Sequence, residues 1–562
     1  MDLWKRLFEA NPTKIRDKKI KNGHFISITN TINLSALMNE IDEKNQAPVQ
    51  QECLKEMIQN GHARRMGSVE DLYVALNRQN LYRNFCTYGE LSDYCTRDQL
   101  TLALREICLK NPTLLHIVLP TRWPNHENYY RSSEYYSRPH PVHDYISVLQ
   151  ELKLSGVVLN EQPEYSAVMK QILEEFKNSK GSYTAKIFKL TTTLTIPYFG
   201  PTGPSWRLIC LPEEHTEKWK KFIFVSNHCM SDGRSSIHFF HDLRDELNNI
   251  KTPPKKLDYI FKYEEDYQLL RKLPEPIEKV IDFRPPYLFI PKSLLSGFIY
   301  NHLRFSSKGV CMRMDDVEKT DDVVTEIINI SPTEFQAIKA NIKSNIQGKC
   351  TITPFLHVCW FVSLHRWGKF FKPLNFEWLT DIFIPADCRS QLPDDDEMRQ
   401  MYRYGANVGF IDFTPWISEF DMNDNKENFW PLIEHYHEVI SEALRNKKHL
   451  HGLGFNIQGF VQKYVNIDKV MCDRAIGKRR GGTLLSNVGL FNQLEEPDAK
   501  YSICDLAFGQ FQGSWHQAFS LGVCSTNVKG MNIVVASTKN VVGSQESLEE
   551  LCSIYKALLL GP

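Results

Sequence analysis

The chain has 562 residues, 42% hydrophobic and 24% charged, which suits two to four ordinary domains or one fold of two large halves. Its 67 basic and 67 acidic side chains balance, so the composition gives no indication of a nucleic-acid partner, which usually requires a basic face. The 14 cysteines include no Cys-x-x-Cys pair, and no signal peptide or membrane-spanning helix is predicted. We therefore expect free thiols in a reducing compartment.

Residues 1–50 are predicted to form an N-terminal extension. Residues 1–22 carry seven basic and three acidic side chains. Four apolar residues share one helical face: Leu3, Trp4, Leu7 and Phe8. This combination favours a short helix on a membrane surface. A disordered tail and a helix docked on the body are the alternatives.

Residues 51–250 form the first predicted half of the body, and they mix helices with strands. Helical patterns cover residues 69–78, 97–110 and 164–177. Strands are predicted at residues 114–120, 206–212 and 221–228. Residues 251–320, rich in proline and charge, are predicted to be a crossover linker.

Residues 321–562 form the second predicted half. Strands are predicted at residues 323–330, 381–387 and 482–489, and a hairpin at 519–538. Helices are predicted at 331–343, where Ser331 and Glu334 make a capping box, and at 353–367. A last amphipathic helix is predicted over 547–560, and its apolar stripe is expected either on a membrane or, more commonly, in the core.

The segment "SNHCMSDG" (226–233) carries the strongest chemical signal. His228 ends a predicted strand, and Asp232 and Gly233 form the turn before a helix. A neutral histidine at such a place suits general-base catalysis near pH 7. Asp232 either touches the imidazole, as in a hydrolase triad, or turns away and locks the loop through an arginine. The alternative is a histidine that only packs in the core.

Other chemistries are weaker in this sequence. The His238–Asp242 and His241–Asp245 pairs have the spacing of one helix face, and we interpret them as structural. There is no His-Glu-x-x-His, so no metal site is predicted, and no Gly-x-Ser-x-Gly. A base without an evident nucleophile or metal indicates direct transfer to an acceptor that the base deprotonates.

The motif resembles the His-x-x-x-Asp-Gly turn of the chloramphenicol-acetyltransferase-like acyltransferases. Within that superfamily the chain is similar to the yeast alcohol O-acetyltransferases, in the same order along residues 55–560. The matching segments include "TPFLHVCWFVSLHR" (353–366), "YGANVG" (404–409), "RGGTLLSNVGL" (480–490) and "GVCSTNVKGMN" (522–532). The resemblance implies an α/β fold of two halves, with a mixed β-sheet in each half and an active-site tunnel between them.

The resemblance also implies roles for named residues. His228 is expected to be the general base that removes the proton of an alcohol, while the oxygen attacks the thioester of acetyl-CoA. Asp232 is expected to turn away from the substrate and pair with an arginine of the other half, for which Arg389 is the candidate. Gly233 completes the motif.

Further candidates are less specific. Ser486, Asn487 and Asn407 are candidates for binding the substrate or the oxyanion, and ordinary strand-end hydrogen bonding is the alternative. Three basic residues are candidates for the CoA phosphates, unless they form a solvated loop: Lys478, Arg479 and Arg480.

The expected activity is the formation of acetate esters, such as isoamyl acetate or ethyl acetate, from acetyl-CoA and a small alcohol. The alternatives are N- or O-acetylation of a bulky amphiphile, such as a sterol or sphingoid-like compound, and a non-catalytic binding module. No permanently bound cofactor and no nucleic-acid partner are expected, and the protein is expected to be a monomer. The resemblance implies peripheral attachment to the cytoplasmic face of the endoplasmic reticulum or to lipid droplets, otherwise the cytosol.

Overall fold

The fold is taken from a computed structural model, and residues 1–47, which hold the predicted membrane-surface helix, lie outside its described part. The structure describes residues 48–78, 81–119, 144–197, 203–212, 218–252, 254, 256–289, 291, 295, 323–348, 350–371, 379–422, 426–456, 466–469, 482–491, 499–511 and 517–561.

The chain as far as residue 291 forms short strands and mostly amphipathic helices. The strands are β1 (Ala63–Arg65), β2 (Phe85–Thr96), β3 (His116–Leu119), β4 (Tyr145–Val148), β5 (Glu151–Leu152), β6 (Trp206–Leu211), β7 (Lys218–Ser226) and β8 (Phe261–Lys262). The helices are α1 (Pro48–Asn60), α2 (Ser68–Arg78), α3 (Arg97–Lys110), α4 (Ser166–Asn178), α5 (Ala185–Thr192), α6 (Gly233–Asn249) and α7 (Tyr263–Asp266). The three predicted helices and three predicted strands of residues 51–250 are confirmed.

The chain from residue 323 onward contains the longer runs of buried strand. Its strands are β9 (Val323–Ile330), β10 (Ile382–Asp387), β11 (Val408–Phe413), β12 (Thr483–Phe491), β13 (Ile503–Gln510), β14 (Phe519–Thr526) and β15 (Gly530–Thr538). Its helices are α8 (Pro332–Asn345), α9 (Ile352–Trp367), α10 (Asp396–Met401), α11 (Phe429–Arg445), α12 (Lys448–Asn456), α13 (Lys539–Val542) and α14 (Gln545–Leu560).

A six-stranded sheet organises this second part, in the order β11-β10-β12-β14-β15-β9. The β10–β12 and β12–β14 pairs are parallel and the others antiparallel, so the predicted mixed sheet is confirmed here. Every residue of β14 and β15 is buried. A continuous apolar run of this kind is what a strand covered on both faces requires.

A four-stranded sheet organises the first part, in the order β13-β2-β7-β6. Its described strands pair antiparallel throughout, whereas the sequence predicts a mixed sheet in this half as well. β13 comes from residues 503–510 yet pairs with β2, so the last third of the chain supplies one edge of this sheet. The two halves are therefore joined by strand pairing as well as by side-chain packing.

The C-terminal helix α14 packs into the core. Six apolar side chains of its stripe are buried: Leu548, Leu551, Cys552, Tyr555, Leu558 and Leu559. The helix begins at Gln545 with Ser544 as its N-cap, so the predicted start at Ser547 was too late. Within the described ranges, no helix is long and apolar enough to span a membrane.

Candidate active site

His228 lies in the turn that joins β7 to α6. β7 ends at Ser226, and Asp232 is the N-cap of α6 in an extended conformation. The Asp232 carboxylate accepts hydrogen bonds from the backbone N–H (2.8 Å) and the hydroxyl (2.9 Å) of Ser235. These bonds satisfy an N–H group of the first turn of α6 that has no partner within the helix. The loop that carries His228 is therefore held by the end of β7 on one side and by the N-cap of α6 on the other.

The His228 side chain is 5% exposed and lies among aromatic rings. Its ring centroid is 4.7 Å from that of Tyr82, 4.8 Å from Phe85 and 6.4 Å from Tyr73. Neither ring nitrogen has a hydrogen-bond partner among the described residues. Both nitrogens of the imidazole are therefore buried, without a hydrogen-bond partner, in a largely aromatic surrounding.

Burial also sets the charge of His228. It lowers the pKa of the imidazole to about 4, although the Asp232 carboxylate and the Ser231 backbone act in the opposite direction. The imidazole is neutral at pH 7 as a result, which is the form that a general base needs.

The Asp232 carboxylate turns away from His228 and towards the second half. Its Oδ2 is 2.9 Å from Nη1 of Arg389 and 2.9 Å from the backbone nitrogen of Asn407. Its Oδ1 is 3.3 Å from Nη2 of Arg389. The contact that the resemblance implies between Asp232 and Arg389 is thus present, and Asp232 makes no hydrogen bond to the imidazole.

Arg389 holds several groups of the second half at the same time. It donates to Oδ1 of Asp387 (3.0 Å) and to the carbonyls of Tyr402 (2.7 Å) and Gly405 (3.3 Å). Burial alone would lower the pKa of its guanidinium, but the carboxylates of Asp232 and Asp387 raise it. Arg389 is therefore a charged, nearly enclosed clamp between the halves.

A cavity of about 240 Å³ lies beside His228 and between the halves. Six of the predicted site residues line it: His228, Asp232, Gly233, Arg389, Ser486 and Asn487. The rest of its wall is formed by Tyr73, Tyr82, Arg234, Pro385, Asp387, Val408, Phe410, Val488, Gly489 and Gln510. The wall combines apolar side chains with a few polar groups, as small-molecule sites do.

A bulge in β12 shapes one side of this cavity. The register against β14 shifts between Asn487 and Leu490, and Gly489 has a φ of +97°. Such a φ strains residues that carry a Cβ. Nη1 of Arg234, in the first turn of α6, donates to the Val488 carbonyl (2.8 Å) inside the bulge. The bulge thus ties β12 to the helix that follows the histidine motif.

Ser486 and Asn487 precede that bulge, and their side chains have different surroundings. The Asn487 amide donates to Oγ1 of Thr353 (3.2 Å) and accepts from the Gly489 N–H (3.0 Å). Ser486 lines the cavity and is buried. Ser486 therefore contributes to the cavity wall, whereas Asn487 mainly holds the strand end.

Gly233 is explained by close packing. A Cβ at this position would lie 2.8 Å from Cγ1 of Val488 and 2.9 Å from Cζ of Phe508. Both distances are shorter than van der Waals contact, so α6 approaches the second half this closely only with glycine here.

The structure places Asn407 outside the cavity, contrary to its candidate role towards substrate or oxyanion. Its Nδ2 donates to the carbonyls of Tyr402 (3.0 Å) and Tyr404 (3.2 Å), and its backbone N–H goes to Asp232. Asn407 therefore supports the turn that holds Asp232. Lys478, Arg479 and Arg480 lie outside the described residues.

Sequence reasoning missed several residues that contact His228 or line the cavity. Tyr82 and Phe85 lie beside the histidine, but nothing in their spacing marks them as site residues. Gln510 ends β13, a strand that the sequence analysis did not predict, and its amide lies close to Tyr82. In the part of the chain that the structure describes, no group of three or more His, Cys, Asp or Glu is arranged to hold a metal ion.

The sequence profile of the alcohol acetyltransferase family matches residues 65–559. The chain belongs to this family. It is 37% identical to alcohol O-acetyltransferase 2 of Saccharomyces cerevisiae over 517 residues, which cover 89% of this chain and 96% of the yeast protein. This alcohol acetyltransferase family member is therefore an acyltransferase.

Solved structures show the same fold. The trichothecene 15-O-acetyltransferase TRI3 of Fusarium sporotrichioides matches with a TM-score of 0.58 and 14% identity, covering 88% of this chain and 94% of that one. The epimerization domain of tyrocidine synthetase B matches with a TM-score of 0.51 and 10% identity, covering 89% and 95%. These matches confirm the chloramphenicol-acetyltransferase-like fold of the family member.

Proposed function

We propose that the protein transfers the acetyl group of acetyl-CoA to the hydroxyl of a small alcohol, with His228 as the general base. The observation that carries the proposal is the position of a neutral, hydrogen-bond-free imidazole in the wall of a cavity between the two halves. Family membership supports the acyl transfer, and the name of the yeast relative supports an alcohol as acceptor.

The proposed reaction is direct. A ring nitrogen of His228 takes the hydroxyl proton as the alcohol oxygen forms a bond to the thioester carbonyl carbon. The tetrahedral intermediate then breaks its C–S bond, and the CoA thiolate takes the proton back from the imidazolium. The hydroxyl of Ser486, a residue of the cavity wall, is the proposed donor to the oxyanion. Asp232, Arg389 and Gly233 hold the turn in place.

The cavity size favours a small acceptor over the bulky amphiphiles that the sequence left open. Its volume of about 240 Å³ is below the 300–1,000 Å³ that is usual for drug-sized ligands. The acetyl group and the end of the pantetheine arm must share this space with the acceptor. A short or medium alcohol requires less of this space than a whole sterol does.

The test is the release of CoA thiol from acetyl-CoA, with and without isoamyl alcohol, by wild type and the His228→Ala variant. We expect release that requires the alcohol and falls by about two orders of magnitude or more in the variant. His357→Ala is the matched control, because His357 is also buried, its two ring nitrogens also have no hydrogen-bond partner among the described residues, and it lies on α9 and does not line the cavity. Circular dichroism checks the folding of both variants.

Other outcomes of this assay would indicate a different function. Release without alcohol indicates a thioesterase, and release only with sterols or amines indicates the bulky-acceptor alternative. Absence of release with any acceptor favours a binding module. Equal loss in both histidine variants contradicts the role of His228.

We also propose that residues 1–22 attach the protein to the cytoplasmic face of the endoplasmic reticulum or to lipid droplets. The basic, amphipathic character of this segment supports the proposal, and the burial of the α14 stripe leaves that helix without a free apolar face. Deletion of residues 1–22 is expected to move the protein to the soluble fraction. Unchanged membrane association of the deletion variant would contradict this.

A further inference from the structure

A buried tyrosine and a buried glutamine line the cavity together with His228. The Tyr82 ring meets the His228 ring edge-on, with centroids 4.7 Å apart and an angle of 80° between the ring planes. Tyr82 and Gln510 are both buried, and both belong to the cavity wall. Two polar side chains therefore lie where the substrates would react, in addition to those to which the proposed reaction gives a role.

Backbone hydrogen bonds fix the positions of these two residues. Tyr82 follows α2, and its N–H donates to the Leu76 carbonyl of that helix (3.2 Å). Gln510 is the last residue of β13 and pairs with Phe85 of β2. The Phe85 ring in turn contacts the imidazole of His228, with ring centroids 4.8 Å apart. A helix end and a strand pair thus hold both side chains beside the imidazole.

The interaction between the two side chains has a direction. Burial raises the pKa of the Tyr82 hydroxyl, and a hydrogen bond from the Gln510 side chain acts in the opposite direction. A partner that lowers the pKa of a phenol donates to its oxygen, because such a bond favours the phenolate. The donor is therefore the amide N–H of Gln510, and the buried phenol remains protonated near neutral pH.

A phenol that accepts a hydrogen bond from an amide still has its own proton to donate. The proton of Tyr82 does not go to His228, since neither ring nitrogen has a hydrogen-bond partner among the described residues. Other polar side chains of the cavity wall hold protein groups: Tyr73 donates to the Val408 carbonyl (2.5 Å), Arg234 donates to the Val488 carbonyl (2.8 Å), and Asp232 pairs with Arg389. A neutral, buried phenol next to the base is suited to stabilise negative charge on a reacting oxygen.

We propose that Tyr82 is a catalytic residue of the acetyl transfer and that Gln510 is its positioning residue. The phenol donates to the oxygen that becomes negative when the alcohol adds to the thioester carbonyl, and the Gln510 amide orients the phenol towards that oxygen. The proton stays on the phenol, so the bond strengthens as the charge develops and weakens when the C–S bond breaks. Tyr82 thus adds a donor from the first half to Ser486, the donor proposed from the second. This inference rests on the proposed function, because it takes His228 as the base of a direct transfer.

The first test measures CoA release from acetyl-CoA with isoamyl alcohol by wild type and the Tyr82→Phe variant. Loss of one donor to an oxyanion lowers kcat by about 10²–10³. Since the donor acts only on the developing charge, kcat and kcat/KM should fall by the same factor, with both KM values unchanged. Tyr88→Phe is the matched control and should change none of these values. Tyr88 is a buried tyrosine of β2 that does not line the cavity, and its hydroxyl donates to Glu90 (3.2 Å).

The Gln510→Glu variant tests the positioning role through its pH profile. Its carboxylate cannot donate to the phenol and accepts the phenol proton instead, so kcat at neutral pH should fall about as far as in Tyr82→Phe. Burial raises the pKa of a glutamate above its usual value of about 4.3, so the new carboxyl should regain its proton on mild acidification. Activity should then recover, whereas that of Gln510→Leu should stay low at every pH. The double variant Tyr82→Phe/Gln510→Leu should lose no more than Tyr82→Phe alone, because Gln510 acts through Tyr82.

Three results would overturn parts of this inference, with circular dichroism as the check that each variant is folded. An unchanged kcat in Tyr82→Phe refutes the catalytic role while the proposed function stands. A higher KM for the alcohol with unchanged kcat refutes it as well, because Tyr82 would then only bind the acceptor. A pH-independent loss in Gln510→Glu, or additive losses in the double variant, refutes the positioning role of Gln510. Absence of transfer by the wild type would refute the proposed function itself, and this inference with it.

Discussion

The ion pair between Asp232 and Arg389 should be the most sensitive single contact of the site. Its side chains are 3% and 9% exposed, so little solvent is available to replace a lost partner. Arg389→Met would leave the Asp232 charge buried and remove the donors to the carbonyls of Tyr402 and Gly405. Breaking a buried pair from one side costs about 3–5 kcal/mol of unfolding free energy.

The assay is urea unfolding of wild type, Asp232→Asn, Arg389→Met and the double variant, with kcat/KM measured on the same preparations. Asp232→Asn should lower the unfolding free energy less than Arg389→Met does. The asparagine keeps an N-cap oxygen for Ser235, and Arg389 keeps its contact with Asp387. Because the two residues are in direct contact, the double variant should lose less than the sum of the single losses, by at least about 1 kcal/mol.

The control is Arg97→Met, whose pair with Glu161 is exposed and should contribute at most about 1 kcal/mol. If the Arg389→Met variant is as stable and as active as the Arg97→Met variant, the Asp232–Arg389 pair does not stabilise the site as we infer. Strictly additive losses in the double variant would show that the two side chains stabilise the protein independently, against the geometry.

Four further predictions concern the cavity and the residues around it. The acid limb of kcat/KM should lie near pH 4, the pKa of His228, since activity is lost as the imidazole gains a proton; a limb near 6.5 would contradict its burial. The unfolded state binds this proton more tightly, so the unfolding free energy should fall as pH drops from about 6.5 to 4, and less steeply in His228→Gln. Gly233→Ala should lower the unfolding free energy by about 1–3 kcal/mol, because the added Cβ clashes with Val488. Gly452→Ala should not lower it, because the space around a Cβ at Gly452 is open. Equal stabilities of the two variants would refute the packing argument. Phe410→Ala, which enlarges the cavity, should shift the ratio of kcat/KM values towards longer alcohols, as gas chromatography of the esters would show, and an unchanged ratio would mean that Phe410 does not limit the length of the acceptor.

Local signals explain which parts of the fold the sequence predicted. α3 begins and ends at residues 97 and 110, as its periodicity predicts, because this signal is local; the structure adds a capping box at Thr96 that the sequence analysis did not identify. β13 was missed because it is a strand through its pairing with β2, more than 400 residues earlier in the chain by the register Gln510–Phe85. Long-range pairing of this kind leaves little trace in the periodicity of a short segment.

The site shows the same division. His228, Asp232 and Gly233 form a motif within one turn, and Arg389 was found through the resemblance. Tyr82 and Gln510 lie at the cavity only because of tertiary packing. No sequence motif around either residue marks it as part of a functional site. Asn407 carries no local sign that its amide bonds Tyr402 and Tyr404 rather than a ligand.

The orientation of Asp232 separates the two roles that the motif alone left open. In a hydrolase triad the carboxylate stabilises the imidazolium, and its loss costs about 10⁴ in kcat. Here its oxygens accept from Ser235, Arg389 and Asn407, so little hydrogen-bonding capacity is left for His228. An imidazolium formed in this apolar surrounding lacks a hydrogen-bonded counter-ion, and it should pass its proton quickly to the departing thiolate. Asp232→Asn should therefore lower kcat far less than 10⁴-fold where the variant remains folded, and a triad-sized loss in a stable variant would contradict direct transfer by an unassisted base.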